Sequence, residues 1–141
     1  MVTEQLTRRL TDEEVAVEMG QYRVLNRVSA ENRRQLMKWG VQDHEPSFWY
    51  LVLMEEMGEL AAAILAESAG EIPATQRAIL YSAHNIGCGA QMALEGGLPD
   101  RINVGGGAVS DGHTSSEEAI QVAAVAVAME AARARRGEKG A

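Results

Sequence analysis

The chain has 141 residues, with 20 Asp and Glu against 13 Lys and Arg, and it is 46% hydrophobic but only 4% aromatic. That length is one domain's worth, and the apolar content excludes a disordered tail. The net charge of −7 argues against binding to a nucleic-acid polymer, which needs Lys and Arg to neutralise phosphates. Cys88 is the single cysteine, which excludes an intramolecular disulfide framework and a cysteine-only zinc site. Met1 to Leu10 lacks the apolar core of a signal peptide, and the longest apolar run, Val122 to Met129, is far too short to span a membrane. The expected setting is cytoplasmic, with no membrane partner.

Residues 11–39 read as helix. Thr11 followed by Asp12, Glu13 and Glu14 supplies a capping oxygen, acids for the first turn and a Glu at the capping-box position. Val15, Met19, Tyr22 and Asn26 share one side. Ser29 offers a second N-cap, so the segment reads as one helix or as two with a bend. Gly40, after Lys38, is a stop. Residues 41–47 read as a loop, and Pro46-Ser47 opens a long apolar helix over about 47–67, ended by Gly70 and Pro73. Residues 75–95 give a third helix, in which Gly87 and Gly89 either weaken the helix or permit close packing. Gly96-Gly97 ends it. Residues 98–114, with Pro99 and four glycines, form an irregular insertion that reads as a short hairpin or a loop. Thr114, Ser115 or Ser116 caps a last helix running from Glu117 to Arg136 and stopped by Gly137. The fold class is all-α: a bundle of four to five helices in a single domain over 1–141. The methionines recur at helical spacing and read as core, as does Cys88.

The acids are unevenly placed. Asp43, Glu45, Glu55, Glu56, Glu59, Glu67 and Glu71 lie between Lys38 and Arg77 with no base among them. On the second helix Leu53, Met57, Leu60 and Ile64 make an apolar stripe widened by Met54, Ala61 and Leu65, so the helix is apolar nearly all round except for its carboxylates. Such a helix is usually buried, and buried carboxylates pair with cations or bind a metal. Glu56 and Glu59, at i and i+3, can share one hard cation, for which oxygen donors suit Mg²⁺ or Mn²⁺. By itself the string also fits a solvated acidic face. Glu118 and Gln121 repeat the spacing on the last helix, where two antiparallel helices would converge their oxygens; Glu118 alone also fits an acid at a helix N-terminus. Arg33, Arg34 and Lys38 beside Trp39, followed by His44 and Trp49, suit a nucleotide, the cations taking phosphates and a ring stacking on the base. Taken alone, either Trp reads first as a core residue. His84 and His113 read as isolated.

The order Lys38-Trp39-Gly40-x-Gln42-x-His44, Trp49, Glu55-Glu56-x-x-Glu59, then Glu118-x-x-Gln121-Val122-Ala123-Ala124-Val125-Ala126 resembles the MazG-like all-α nucleoside triphosphate pyrophosphohydrolases, whose mark is an E-E-x-x-E helix followed by a helix bearing E-x-x-D. The resemblance covers roughly residues 30–67 and 114–136. It implies Mg²⁺-dependent hydrolysis of (d)NTP to (d)NMP and pyrophosphate in nucleotide-pool housecleaning, by a homodimer or homotetramer. It further implies that Glu56, Glu59, Glu118 and Gln121 hold the metal, that Glu55 orients or deprotonates the attacking water, and that Arg34, Lys38, Trp39, His44 and Trp49 bind the substrate. Two features depart from the family. Gln121 stands where the family has Asp, which leaves open a non-catalytic module that binds nucleotide or metal. The interval from Glu59 to Glu118 is long, so residues 68–114 read as an insertion from which Asp100 or Asp111 would supply a further carboxylate.

Overall fold

A computed structural model of the chain describes residues 8–68, 70–96 and 113–140, with side chains through residue 137. The insertion at 98–114, with Asp100 and Asp111, falls outside them except for the non-helical His113 and Thr114. Four helices make up the described part: α1 over Asp12–Trp39, α2 over Pro46–Glu67, α3 over Ala74–Leu94 and α4 over Ser115–Gly140. The protein is all-α, its helices packed as a bundle. Among the described residues no helix is long and apolar enough to cross a membrane.

Local chemistry sets the helix ends. The Thr11 hydroxyl accepts from the Glu14 N–H while the Glu14 carboxylate accepts from the Thr11 N–H, a complete capping box. Gly40 closes α1 at φ +71°, its N–H donating to the Leu36 carbonyl. No break occurs at Ser29, so α1 is one continuous helix. Pro46 opens α2, where its missing N–H costs nothing. Thr114 and Glu117 cap α4 reciprocally. That helix runs three residues beyond Gly137, which acts as a helix residue and not as its stop.

Helix α2 packs against both α3 and α4, and α1 packs against α4. The α2–α3 crossing depends on two glycines: a Cβ on Gly58 would lie 2.7 Å from the Gly87 Cα, so only hydrogen fits at either position. Gly89 meets nothing within 4 Å and has no such role. Between α2 and α4 the core is built around Trp49, Val125 and Ala132, Ala124 packs with Val28 and Ile120 between α1 and α4, and Ala61, Ala62 and Ala63 on α2 are almost fully buried. The largest completely buried side chain is a carboxylate, Glu118.

Several apolar residues assigned to the core lie outside it. Met19, Met37, Met57 and Met92 are exposed, Met37 to 80%. Cys88 is exposed too, its Sγ 3.8 Å from His84 Nε2. It sits one position past Gly87, about 100° round the helix from the contact with α2.

Candidate metal centre

Two antiparallel helices build the site. At one end of the α2–α4 pair the Glu67 carboxylate accepts from the Ser115 N–H at 2.6 Å and from the Ser115 hydroxyl. At the other end Trp49 packs on Val125 and Ala132. That register places Glu56 and Glu59, one turn apart on α2, opposite Glu118 in the first turn of α4. One carboxylate oxygen from each lies within 4.8 Å of the others, a set that could hold a metal ion. Glu118 is fully buried in the first turn of α4. His113 Nδ1 lies 2.8 Å from Glu118 Oε1 and orients it.

Charge is concentrated here at an energetic cost. Burial first, then the charges of Glu59, Glu118, Glu55 and Glu31, push the Glu56 carboxyl from its ordinary 4.5 up to about 8. A divalent cation would offset that repulsion, and an oxygen-only donor set suits a hard one.

The three carboxylates line a cavity of about 370 Å³ together with Arg34, Trp39, Trp49, Gln121 and His113. A second cavity of about 230 Å³ shares Gln35, Trp39, Gln42 and Trp49 with it and continues between Leu36, Val127 and Ala128. The combined recess is acidic at one end, aromatic in the middle and apolar at the other end. Arg34 binds Glu31 through two nitrogens, at 2.6 and 2.8 Å, which holds the Glu31 carboxyl below its ordinary value. Gln35 Nε2 donates both to Glu31 Oε1 at 3.0 Å and to Gln121 Oε1 at 3.2 Å, fixing the Gln121 amide oxygen toward α1.

Not every candidate residue reaches the recess. Lys38 Nζ lies 4.5 Å from the centroid of the Trp39 ring and the Arg34 guanidinium carbon 5.9 Å from it, so both cations border the same ring, but Lys38 does not line either cavity. His44 packs on Phe48 at 4.0 Å and edge-on to Trp49 at 5.7 Å, outside the lining. Glu55 turns toward α3. It lines a separate cavity of about 350 Å³ with Glu59, His84, Cys88 and Gln91, and burial together with the Glu95 charge raises its pKa. Arg135 donates to the Gln42 carbonyl at 2.8 Å and Arg136 pairs with Asp43 and Glu45, so these two tie the α1–α2 loop to α4, while Arg133 pairs with Glu130.

The sequence reading missed His113, Glu31 and Gln35. The position of His113 immediately before the α4 cap, five residues ahead of Glu118, was the only available signal. For Glu31 and Gln35 the i,i+4 spacing was visible, but not the partner helix.

The fold and site define an all-α four-helix bundle with an acidic cluster suited to a metal ion. Compared with protein-family models, with characterised proteins and with solved structures, the chain matches none.

Proposed function

We propose that the protein is a MazG-like nucleoside triphosphate pyrophosphohydrolase, converting (d)NTP to (d)NMP and pyrophosphate with Mg²⁺ or Mn²⁺. The observation that carries this reading is the recess itself, with three converging carboxylates at one end, Trp39 and Trp49 in the middle and Arg34 at the edge. Glu56, Glu59 and Glu118 would hold the cation, which would supply positive charge to offset the phosphate charge at the scissile linkage. Arg34, released from Glu31, would donate to the phosphates, with Lys38 adding charge on the same ring edge. The Trp39 ring would stack on the base, backed by Trp49 and His44. Glu55 would accept a proton from water on the α3 side of Glu59.

The test is to incubate the purified protein with each (d)NTP and Mg²⁺ and resolve the products by phosphorus NMR. Monophosphate and pyrophosphate are expected. Glu55→Gln should remove turnover while leaving metal binding in place. No turnover of any (d)NTP with either cation contradicts the proposal.

One observation favours a second reading, a non-catalytic binding module. Gln121 occupies the position of the family's Asp, and its oxygen is engaged by Gln35 at 3.2 Å. On that reading Gln121→Asp creates or raises activity. A wild type that turns over fast and is slowed by Gln121→Asp rejects it.

A further inference from the structure

Arg34 lines the recess beside the three carboxylates, and its guanidinium is already engaged. Its Nε donates to Glu31 Oε2 at 2.8 Å and its Nη2 to Glu31 Oε1 at 2.6 Å. A guanidinium takes two oxygens of a phosphate with the same fork. The partners differ in exposure: the Arg34 side chain is 54% exposed, that of Glu31 only 12%. An ion pair on an open helix face is weak and loosely held. This one is braced from behind, because Gln35 Nε2 donates both to Glu31 Oε1 at 3.0 Å and to Gln121 Oε1 at 3.2 Å. Hydrogen bonds from Arg34 first, and from Gln35 and Gln121, outweigh burial and hold the Glu31 carboxyl below its ordinary value.

Glu31 does not line the cavity, whereas Arg34, Gln35 and Gln121 do. An anion entering the recess therefore meets the Arg34 fork and competes with Glu31 for it. A triphosphate brings several charges and many acceptor oxygens, so it is the stronger partner. Displacement has a second consequence. Without Arg34, Glu31 keeps only neutral amide donors, and a shielded carboxylate left in that state is costly. Its charge also reaches the cluster: after burial and the charges of Glu59, Glu118 and Glu55, it adds to what raises the Glu56 carboxyl. A cation at the cluster offsets that cost.

We infer that Glu31 is a built-in competitor for Arg34: it occupies the guanidinium in the free protein, a triphosphate displaces it, and the released carboxylate then strengthens the cation site at Glu56, Glu59 and Glu118. The inference rests on reading the recess as a triphosphate site. It couples the two ends of that site, because an anion on Arg34 uncovers negative charge beside the cation, and by linkage the cation favours the anion in return. Glu31 touches neither ligand. It is a positioning residue that sets when Arg34 is free.

The test uses the full chain, with Glu31→Gln, Arg34→Gln and the double variant checked for unchanged helicity by circular dichroism. In chelator, calorimetry with inorganic tripolyphosphate should show Glu31→Gln binding at least about threefold tighter than wild type, and Arg34→Gln at least about tenfold weaker. In wild type, saturating tripolyphosphate should move the carbon NMR resonance of the Glu31 carboxyl to its position in Arg34→Gln, a change that long-range charge alone does not produce. With Mn²⁺ and no phosphate, Arg34→Gln should bind the ion at least about threefold tighter than wild type, a gain lost in the double variant. Tripolyphosphate affinity that Glu31→Gln leaves unchanged or weakens overturns the inference. So does a Glu31 resonance that stays in place at saturation, a wild type that binds no tripolyphosphate at millimolar concentration, or an Mn²⁺ affinity that Arg34→Gln does not raise. Turnover of (d)NTP without displacement of Glu31 rejects the inference alone, whereas displacement of Glu31 without turnover of any (d)NTP rejects the hydrolase alone.

Discussion

Replacing Glu56 by Gln should stabilise the metal-free protein. With its carboxyl pushed up to about 8, folding at pH 7 requires Glu56 to take up a proton that the unfolded chain, with a carboxyl near 4.5, has already lost. Each pH unit of that gap corresponds to about 1.4 kcal/mol, so the full penalty is about 3 kcal/mol. Glu56 is half-buried, and solvent screening reduces the figure to between about 1.5 and 3 kcal/mol. The sign follows from linkage. The native state holds the proton more tightly, so stability is highest below about pH 4.5, falls as pH rises toward 8 and is level beyond. The amide does not titrate and escapes that loss. In chelator at pH 7 the variant should melt higher by about 5–15 °C, using about 3–5 °C per kcal/mol for a chain of this size. The advantage should vanish at pH 4.5. Saturating Mg²⁺ should raise the wild type more than the variant, because only a bound cation relieves three carboxylates. A variant that melts at or below wild type in chelator at pH 7, or one whose gain is as large at pH 4.5, refutes the account of the cluster.

The remaining predictions concern the scaffold. Gly58→Ala places a methyl 2.7 Å from the Gly87 Cα and 3.3 Å from the Ala83 carbonyl, all backbone, so thermal melts should show a loss of about 1–3 kcal/mol. Gly89→Ala, with nothing within 4 Å, should instead gain up to about 1 kcal/mol in the same assay, and equal behaviour of the two would contradict the close crossing. Thr11→Ala removes the capping box at the N-terminal end of α1. It should cost about 1 kcal/mol and accelerate amide hydrogen exchange in the first turn of that helix, with α2 and α3 unaffected.

Much of the fold was legible because its signals are local. Thr11 with Glu14, Gly40, Pro46 and Gly96 mark helix ends through their own backbone chemistry, and no partner is needed to read them. The metal cluster was legible for the same reason: i,i+3 spacing puts Glu56 and Glu59 on one side of α2, and Glu118 sits at the start of a helix otherwise apolar on that face. What could not be read was which neighbour each face meets. Glu55 and Glu56 are adjacent in sequence but about 100° apart on a helix that packs on both α3 and α4, so one opens on each side. His113 and Glu31 act on the cluster only after the bundle has formed. Periodicity also cannot separate an apolar stripe that faces the chain's own core from one left outside it, which is why Met19 and Met37 looked internal.

The claim that the three glutamates form a cation site is tested most directly by titrating metal-free protein with Mn²⁺ and following free ion by electron paramagnetic resonance. Wild type should bind one Mn²⁺ per chain, displaceable by Mg²⁺, with affinity that rises from pH 5 to 8 as Glu56 gives up its proton. Glu59→Gln and Glu118→Gln should each weaken binding by at least about tenfold. Absence of binding at millimolar Mn²⁺ would contradict the account, as would a site that both substitutions leave intact.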